Sequence, residues 1–393
     1  MRIIKIYKLF NQFKHYEWGH PAIIPDFLGR RNEDEELPYA EMWMGTYKNA
    51  HSQIMKDDKL VKLAEISGEL PFLFKLLAVE KPLSIQAHPN KTQAEEGFTY
   101  EEISGIALNA PTRNYKDPNH KPEIMCAISP FTLMAGFRET EVISRSLDEF
   151  LKILPQLKEI VFPIQKALNT GSLAVFFRIL FGLSEMEKDY ITTLVINKEI
   201  SEIESMCQET SLEQWKLMKY FASIYPRDPA LISPFYLNLL TLQPGQAIYV
   251  PAGVLHAYIS GFAAELMSNS DNVLRGGLTP KHINIPELMN IVNFNPYLIP
   301  VYTPDPAPCF TFQTLCNDFT LSLIHGCGNE AAFPVYESAI CIVIEGELEL
   351  SAGTTGRVKF SKGESFYIPQ RNNTDPLVYS GNCKLFAAFA NAS

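Results

Sequence analysis

Residues 245–256, GQAIYVPAGVLH, decide how this chain is interpreted, because a second version of the same pattern occurs later in the sequence. The first version has the form Gly-x5-Pro-x4-His and ends at His256. The second version, GESFYIP, begins at Gly363 and has Thr374 at the position that corresponds to His256. We interpret the two as one strand-and-turn unit in two related β-rich modules, of which only the first keeps its histidine for chemistry.

The overall composition is typical of a globular protein with more than one domain. The 393 residues, 46% hydrophobic and 20% charged, are too many for one ordinary core. The net charge of −10 argues against nucleic acid or an anionic membrane surface as a partner. No apolar run approaches the roughly 20 residues of a membrane helix. The seven cysteines contain no C-x-x-C pair, which fits cysteines that stay reduced as thiols. We predict a soluble, cytoplasmic protein and expect a monomer.

The spacing of apolar residues changes along the chain. Residues 1–138 and 230–300 contain short apolar runs separated by Pro, Gly and Asn, which favour buried strands. Residues 139–229 instead carry apolar residues at helical spacing, and Pro155 ends one such run. Residues 301–393 again show the short apolar runs that favour strands. The pattern predicts a mainly β protein, with two modules of jelly-roll type and an inserted α-helical domain.

Three short segments place polar side chains where strand patterning would place apolar ones. In the first, LSIQAHPNK, Gln86 and His88 are two residues apart, so both point to the same face of a strand. Glu123 ends the second segment, NHKPE, and His256 ends the third. These four residues supply N and O ligands compatible with zinc or another borderline divalent ion. The alternative is a Gln–His pair that is satisfied by ordinary hydrogen bonds.

The segment that follows His256 contains groups suited to an anion. Arg275 precedes two glycines, so its guanidinium lies on a backbone that can approach a ligand closely. Ser84, Lys91 and Lys281 are candidates for contacts to a phosphate. Lys75 interrupts the apolar run FLFKLLAV, and its simplest interpretation is a lysine at a strand edge, with its ammonium group in solvent.

Four longer motifs together resemble the type I mannose-6-phosphate isomerases, also called phosphomannose isomerases. They are KPLSIQAHPNK (81–91), NHKPE (119–123), YVPAGVLHAY (249–258) and SNSDNVLRGGLTPKH (268–282). Their order along the chain makes the set far more specific than any one motif, and the resemblance extends from the N-terminus past residue 300.

The resemblance also implies a domain organisation. Residues 1–138 and 230–300 would form a catalytic cupin domain, a metal-binding jelly roll. Residues 139–229 would form the helical insertion domain. Residues 301–393 would form a second, cupin-like jelly-roll domain without a metal site.

The activity implied by the resemblance is that of a metal-dependent aldose–ketose isomerase. Such an enzyme interconverts mannose 6-phosphate and fructose 6-phosphate through an enediol intermediate. The resemblance implies one zinc ion per chain, bound by Gln86, His88, Glu123 and His256. It also implies a catalytic role for Arg275 in stabilising the negative charge of the intermediate.

The group that moves the proton between the two sugar carbons is left open among Lys121, Glu265 and Asp271. The chain departs from the family pattern at two places. The family usually has Gly-x-Gly before the glutamate, whereas this chain reads GFAAE, ending at Glu265. The family usually has Ser after an early Trp-Gly pair, whereas this chain has His20. The first departure concerns the cavity wall near Glu265.

Two other classes of function remain as alternatives from the residues alone. A cupin-type oxygenase with iron or manganese would favour an H-x-H pair, where this chain has Q-x-H, and would have no need of Arg275 and Lys281. A sugar-phosphate sensor would tolerate loss of the proton-transfer groups, but all three candidates are present.

Overall fold

The chain is mostly sheet, with its helices concentrated in one stretch. The computed structural model describes residues 5–48, 50–207, 209–335, 337–352, 356–371 and 377–391. Within them, the strands form two sheets in which neighbouring strands are antiparallel. The predicted mainly β character is confirmed.

The strands are numbered in chain order. Before the helical stretch they are β1 (Tyr7–Phe10), β2 (Gln12–Lys14), β3 (Glu41–Gly45), β4 (Gln53–Lys56), β5 (Lys59–Lys62), β6 (Phe72–Val79), β7 (Gln86–Ala87), β8 (Glu123–Ala127) and β9 (Phe131–Phe137). After it they are β10 (Leu237–Leu242), β11 (Ala247–Val250), β12 (His256–Ser268), β13 (Leu274–Arg275), β14 (Val301–Tyr302), β15 (Cys309–Phe312), β16 (Phe319–Cys327), β17 (Ala331–Ala332), β18 (Ala339–Ala352), β19 (Arg357–Ser361), β20 (Ser365–Ile368), β21 (Leu377–Ser380) and β22 (Asn382–Ala390).

The helices are numbered in the same way. They are α1 (Ile23–Phe27), α2 (Ala64–Ser67), α3 (Lys91–Ile103), α4 (Thr140–Ile153), α5 (Lys158–Asn169), α6 (Leu173–Phe181), α7 (Glu185–Asn197), α8 (Ile200–Met206), α9 (Glu209–Ile224), α10 (Ser233–Tyr236) and α11 (Ile285–Ile291). Two short 3-10 turns lie at Pro155–Leu157 and Pro229–Ile232. Among these described helices, none has the length and apolar character needed to cross a lipid bilayer.

The first sheet holds the polar segments singled out in the sequence. Its strand order is β14-β11-β8-β12-β6-β3-β2, and β7, β9, β10 and β13 pair beside this path. One face encloses a small apolar core that includes Leu77, Met125 and Tyr258. The other face packs, through residues such as Phe74 and Leu266, against the second sheet.

The second sheet contains the C-terminal strands together with part of the N-terminal segment. Its order is β15-β16-β22-β18-β20-β1-β4-β5, and Tyr7 of β1 lies opposite Tyr367 of β20. The structure therefore departs from the prediction that residues 1–138 belong wholly to the first module. Strand β1 supplies hydrogen-bonding partners for β20, and no local sequence pattern reveals which of two sheets a strand will join.

Helices α4–α10 lie between two strands that are neighbours in space. β9 and β10 pair antiparallel, with Phe131 opposite Leu242, so the helical stretch leaves the sheet and returns to it at adjacent positions. Its core is rich in aromatic side chains, with Phe150 stacked on Trp215 at 5.1 Å between ring centroids. As predicted, the first of these helices ends just before Pro155.

The repeated Gly-x5-Pro pattern has the same local conformation in both copies. Gly245 has φ 89° and Gly363 has φ 87°, a region that glycine enters without the steric cost of a Cβ. Each glycine precedes a four-residue strand, β11 or β20. Thr374, which takes the place of His256 in the second copy, lies outside the described residues.

Candidate active site

Three of the four predicted metal ligands meet in the interior of the first sheet. The ligand atoms of His88, Glu123 and His256 all lie within 4.8 Å of one another, and the three side chains are buried. His88 Nε2 lies 3.4 Å from Glu123 Oε1, and His256 Nε2 lies 3.4 Å from Glu123 Oε2. The arrangement places two imidazole nitrogens around one carboxylate, a set of donors that zinc binds in proteins.

Strand pairing explains how residues distant in sequence converge. Gln86 of β7 lies opposite His256 of β12 on one side and opposite Arg275 of β13 on the other. Residues directly opposite in an antiparallel pair have Cβ atoms roughly 5 Å apart. The register therefore sets His256, Gln86 and Arg275 in one row across three strands. Glu123 begins β8, whose partner β11 carries the first copy of the repeated pattern.

Backbone carbonyls orient both imidazole rings. His88 Nδ1 lies 2.6 Å from the carbonyl oxygen of Asn272, and His256 Nδ1 lies 3.0 Å from that of Val254. When Nδ1 carries the proton and donates it to a carbonyl, the lone pair of Nε2 is free to bind a metal. Burial, aided by the nearby Lys121 ammonium, lowers the pKa of His88 to about 4, so the ring is in the neutral form that a metal ligand needs.

The polar atoms at the centre of the cluster fit a cation. His88 Nε2 and Glu123 Oε2 are buried and have no hydrogen-bond partner among the described residues. Although burial opposes it, the Lys121 ammonium holds the pKa of Glu123 well below its usual value, so the carboxylate is charged. Buried polar atoms without partners are rare in folded proteins. A divalent ion between them would satisfy both atoms.

Gln86 lies beside this cluster but presents its nitrogen. Its Nε2 is 3.3 Å from His256 Nε2, as expected for an amide that donates to the free lone pair of the ring. An amide oxygen is the atom that binds a metal. Gln86 can therefore serve as the fourth ligand when its amide turns so that the oxygen faces the cluster.

A cavity of about 760 Å³ opens above the cluster. Gln86, Glu123 and Lys121 line its floor, and Lys121 Nζ lies 3.0 Å from Glu123 Oε1. The volume falls in the range of small-molecule sites. The cavity thus brings together a metal cluster and a lysine, with room for a ligand of the size of a sugar phosphate.

Lys75 is a buried residue of this cavity, and its interpretation as an edge lysine is wrong. It lies on β6, a central strand, and Lys75 Nζ lies 3.2 Å from Glu265 Oε2 and 3.9 Å from Glu41 Oε1. Although burial opposes it, these two carboxylates raise the pKa of Lys75 above its usual value. The sequence analysis did not single out Glu41, because only the pairing of β3 with β6 brings it close to Lys75.

The same cavity is also lined by cationic groups. Ser84, Arg275 and Lys281 line it, and among the described residues none of their side chains has a hydrogen-bond or ion-pair partner. Burial, together with the Arg275 charge, lowers the pKa of Lys281. The Ile85 N–H donates to the carbonyl oxygen of Gly277 at 3.0 Å, and the Gly276 N–H donates to that of Ile85 at 2.7 Å, which holds the Ser84 segment beside Arg275. Two cations that line one cavity, with no counterion among the described residues, form a site for an anion.

Lys91, a predicted phosphate contact, does not line this cavity. As the first residue of α3, it donates from Nζ to the carbonyl oxygen of Pro118 at 2.9 Å and to Asn119 Oδ1 at 3.1 Å. Its sequence position beside His88 suggested a ligand contact. The start of α3 instead turns the side chain toward the loop before β8.

Glu265 and Asp271 both line the cavity, but in different surroundings. Glu265 is buried, and burial together with the Glu123 charge raises its pKa. Asp271 lies at the rim with its side chain 46% exposed and forms an ion pair with Lys48 at 2.6 Å. Although burial opposes it, the hydrogen bond from Lys48 lowers the pKa of Asp271.

Tyr258 is a cavity residue that the sequence did not single out. Its side chain is 2% exposed, and its hydroxyl has no hydrogen-bond partner among the described residues. Burial raises its pKa, so the hydroxyl is protonated and able to donate. Its position two residues after His256 on β12 was the available signal, because such residues share a face.

Comparisons with known proteins agree with this site. Residues 6–140 match the family model for the phosphomannose isomerase type I catalytic domain. The mannose-6-phosphate isomerase of Escherichia coli is 33% identical over 398 residues, covering 96% of this chain and 98% of that protein. The corresponding Homo sapiens enzyme is 30% identical over 397 residues, covering 89% of this chain and 90% of that protein.

Solved structures are similar over nearly the whole chain. The mannose 6-phosphate isomerase of Salmonella typhimurium, crystallised with its substrate fructose 6-phosphate and zinc, has a TM-score of 0.86 at 33% identity. The match covers 98% of this chain and 100% of that one. A zinc-bound mannose 6-phosphate isomerase gives the same TM-score, identity and coverage.

Proposed function

Because this chain belongs to the family of type I phosphomannose isomerases, we propose that the cavity interconverts mannose 6-phosphate and fructose 6-phosphate in a zinc-dependent reaction. The ligands of one zinc ion per chain would be Gln86, His88, Glu123 and His256. The observation that carries the assignment is the pairing of two features in one cavity. Glu123 of the metal cluster lines it, and so do two cations without a counterion among the described residues, Arg275 and Lys281.

The cations and the metal cluster would bind different parts of the substrate. Lys281 and Ser84 would hold the phosphate, which carries close to two negative charges at neutral pH. Arg275 lies in the same strand row as Gln86, directly beside this proposed metal ligand. There its guanidinium would face the sugar carbons that react. Fixing the phosphate at one end restricts the motion of C1 and C2 at the other.

Zinc supplies positive charge that polarises oxygen atoms of the sugar when it is bound. The chemistry of the chain's own residues is proton transfer and charge stabilisation. Arg275 would stabilise the negative charge that develops as the proton leaves the carbon and the enediolate forms. The buried walls around Tyr258 and Glu265 keep bulk water from the reacting carbons.

Among the three candidates for proton transfer, the geometry favours Lys121. Its Nζ lies next to the metal ligand Glu123, and it lines the cavity floor. Glu265 is bound to Lys75, and Asp271 is bound to Lys48 at the half-exposed rim. We therefore propose that Lys121 moves the proton, while Glu265 and Lys75 form a neutralised pair in the cavity wall.

Replacing Lys281 with alanine is expected to raise KM for mannose 6-phosphate by about tenfold or more, with a smaller change in kcat. A hydrogen bond to a charged group contributes roughly 1.5–3 kcal/mol, and this one would be made equally in the ground and transition states. Steady-state kinetics on mannose 6-phosphate measures both constants. A large loss of kcat at unchanged KM would place Lys281 on the reacting carbons instead.

Replacing Tyr258 with phenylalanine is expected to lower kcat/KM by roughly fivefold to tenfold, because one hydrogen bond to a sugar oxygen is lost. Tyr236 offers a matched control. It is also fully buried with a hydroxyl that lacks a partner among the described residues, but it lies in α10 and does not line the cavity. Tyr236→Phe should leave the kinetics unchanged. Equal kinetics for both variants would remove Tyr258 from the substrate contacts.

A coupled assay tests the proposed function directly. Fructose 6-phosphate produced from mannose 6-phosphate is converted by an added glucose-6-phosphate isomerase and detected with a dehydrogenase. Mannose without phosphate serves as the control substrate and should react far more slowly, since it cannot engage Lys281. Absence of fructose 6-phosphate formation by the zinc-loaded protein would overturn the assignment.

We also propose a domain organisation for the chain. Each sheet would be a cupin-like jelly roll, with the catalytic one formed by most of residues 1–138 and by 230–300. Residues 139–229 would be an inserted helical domain, as the adjacency of β9 and β10 supports. Residues 301–393 would form the second jelly roll, without a metal site and joined by β1, β4 and β5.

The proposed setting is a monomer in the cytoplasm. All seven cysteines are free thiols, as expected in a reducing compartment. The partner would be a small sugar phosphate rather than a nucleic acid, in keeping with the net charge of −10.

A further inference from the structure

Lys121 is carried by a segment without regular secondary structure, residues 119–122, just before β8. Consecutive side chains of this segment contact different parts of the molecule. Lys121 Nζ lies 3.0 Å from Glu123 Oε1 at the metal cluster. His120 Nε2 instead lies 2.8 Å from Asp318 Oδ2, outside the cavity. Neighbouring residues of this segment thus contact the metal cluster and the C-terminal part of the chain.

Asp318 comes from the C-terminal part of the chain, directly before β16. Its Oδ2 also accepts a hydrogen bond from Ser268 Oγ at 2.5 Å, and Ser268 N donates to the carbonyl oxygen of Pro122 at 3.3 Å. The hydrogen bond from His120 holds the pKa of Asp318 below its usual value, so the carboxylate is charged. One carboxylate therefore ties the segment before β8 to the end of β12.

The start of the segment is held by the catalytic part of the chain itself. Lys91 Nζ donates to Asn119 Oδ1 at 3.1 Å, and Asn272 Nδ2 donates to the carbonyl oxygen of Asn119 at 2.8 Å. For the His120 side chain, Asp318 is the one hydrogen-bonding partner among the described residues. Without that contact, the middle of the segment would have no side-chain anchor outside the cavity.

We infer that Asp318 is a positioning residue that the C-terminal module contributes to the active site. Through His120, it fixes the backbone so that Lys121 stays beside Glu123 and faces the reacting carbons. The inference rests on the proposed function, in which Lys121 transfers the proton. It assigns a definite contribution to a module in which the described residues contain no metal-binding cluster.

The test compares Asp318→Ala, His120→Ala and the double variant with the wild type on mannose 6-phosphate. Asp318→Ala is expected to lower kcat roughly 10-fold to 100-fold, with KM changed less than about threefold, as for partners that orient active-site ligands. Because both single changes break the same link, the double variant should have the kcat of a single variant. Asp318→Asn preserves the side-chain shape and gives the same comparison should the alanine variant fold poorly.

Asp305→Ala is the matched control, because Asp305 is exposed in the same module and accepts a hydrogen bond only from the backbone N–H of Ala307 among the described residues. Wild-type kcat in Asp318→Ala, or losses that multiply in the double variant, would overturn the positioning role. An inactive wild type would instead overturn the proposed isomerase function. Amide hydrogen exchange then decides the positioning role, since it should be faster over residues 119–121 in Asp318→Ala than in Asp305→Ala. Equal exchange would contradict it.

Discussion

Replacing His256 with alanine is expected to abolish zinc binding and isomerase activity together. The side chain supplies one of two imidazole nitrogens in the cluster, and the carbonyl of Val254 holds it with Nε2 facing Glu123. Loss of one of four ligands lowers zinc affinity by orders of magnitude, because the remaining geometry is incomplete. Metal analysis of the purified variant and the coupled assay on mannose 6-phosphate measure the two losses side by side.

His325→Ala serves as the control for this experiment. His325 lies on β16 in the second sheet, away from the cavity, so the variant should keep both zinc and activity. A His256→Ala protein that still carries one zinc per chain would contradict the ligand assignment. A variant that loses activity but keeps its zinc would show that His256 acts on the substrate rather than on the metal.

Replacing Arg275 with alanine is expected to lower kcat by about 100-fold to 1,000-fold while KM changes by less than about tenfold. Removal of one group that stabilises a developing oxyanion has an effect of this size in other enzymes. Arg275 has no partner among the described residues that would neutralise it, so its charge is available to the substrate. Steady-state kinetics separates the two constants, because only an interaction made in the transition state lowers kcat alone.

Arg145→Ala is the matched control, since Arg145 is exposed on α4 and outside the cavity. Its kinetics should equal those of the wild type. The reverse pattern for Arg275→Ala, a large rise in KM with kcat preserved, would assign the guanidinium to ground-state binding of the phosphate. The role of Lys281 would then need to be shared with Arg275.

The metal cluster was predictable because its ligands are polar residues at positions where the strand pattern predicts apolar ones. Gln86 and His88 interrupt an apolar stretch at a spacing of two, and His256 follows a turn that the second copy repeats without the histidine. Each signal is weak alone. The structure brings His88, Glu123 and His256 within 4.8 Å of one another, as the combination predicted.

The contacts that sequence patterning missed depend on strand order. The position of Lys75 inside an apolar run was visible, but its partners lie on β3 and β12, which neighbour β6 only in the folded sheet. Replacing one member of such a buried pair leaves a charge without its partner, at a cost of roughly 3–5 kcal/mol. The sequence analysis failed to place β1 in the second sheet for the same reason, because local sequence does not encode pairing between distant strands.

Lys91 lies outside the cavity, although its place in a motif predicted a phosphate contact. It lies three residues after His88 and has the charge that a phosphate needs, but the helix that begins at Lys91 directs its side chain to Asn119. Sequence proximity to a ligand therefore does not place a side chain in the cavity. Its observed contacts support the segment that carries Lys121, so its contribution to the site is indirect.

The central claim is that one zinc ion, held by the cluster around Glu123, is required for isomerisation. The most direct measurement removes the metal with a chelator and titrates zinc back while activity on mannose 6-phosphate is followed. We predict that the metal-free protein is inactive and that activity rises linearly and saturates at one zinc per chain. Full activity in protein shown by metal analysis to contain no zinc or other divalent ion would contradict the claim.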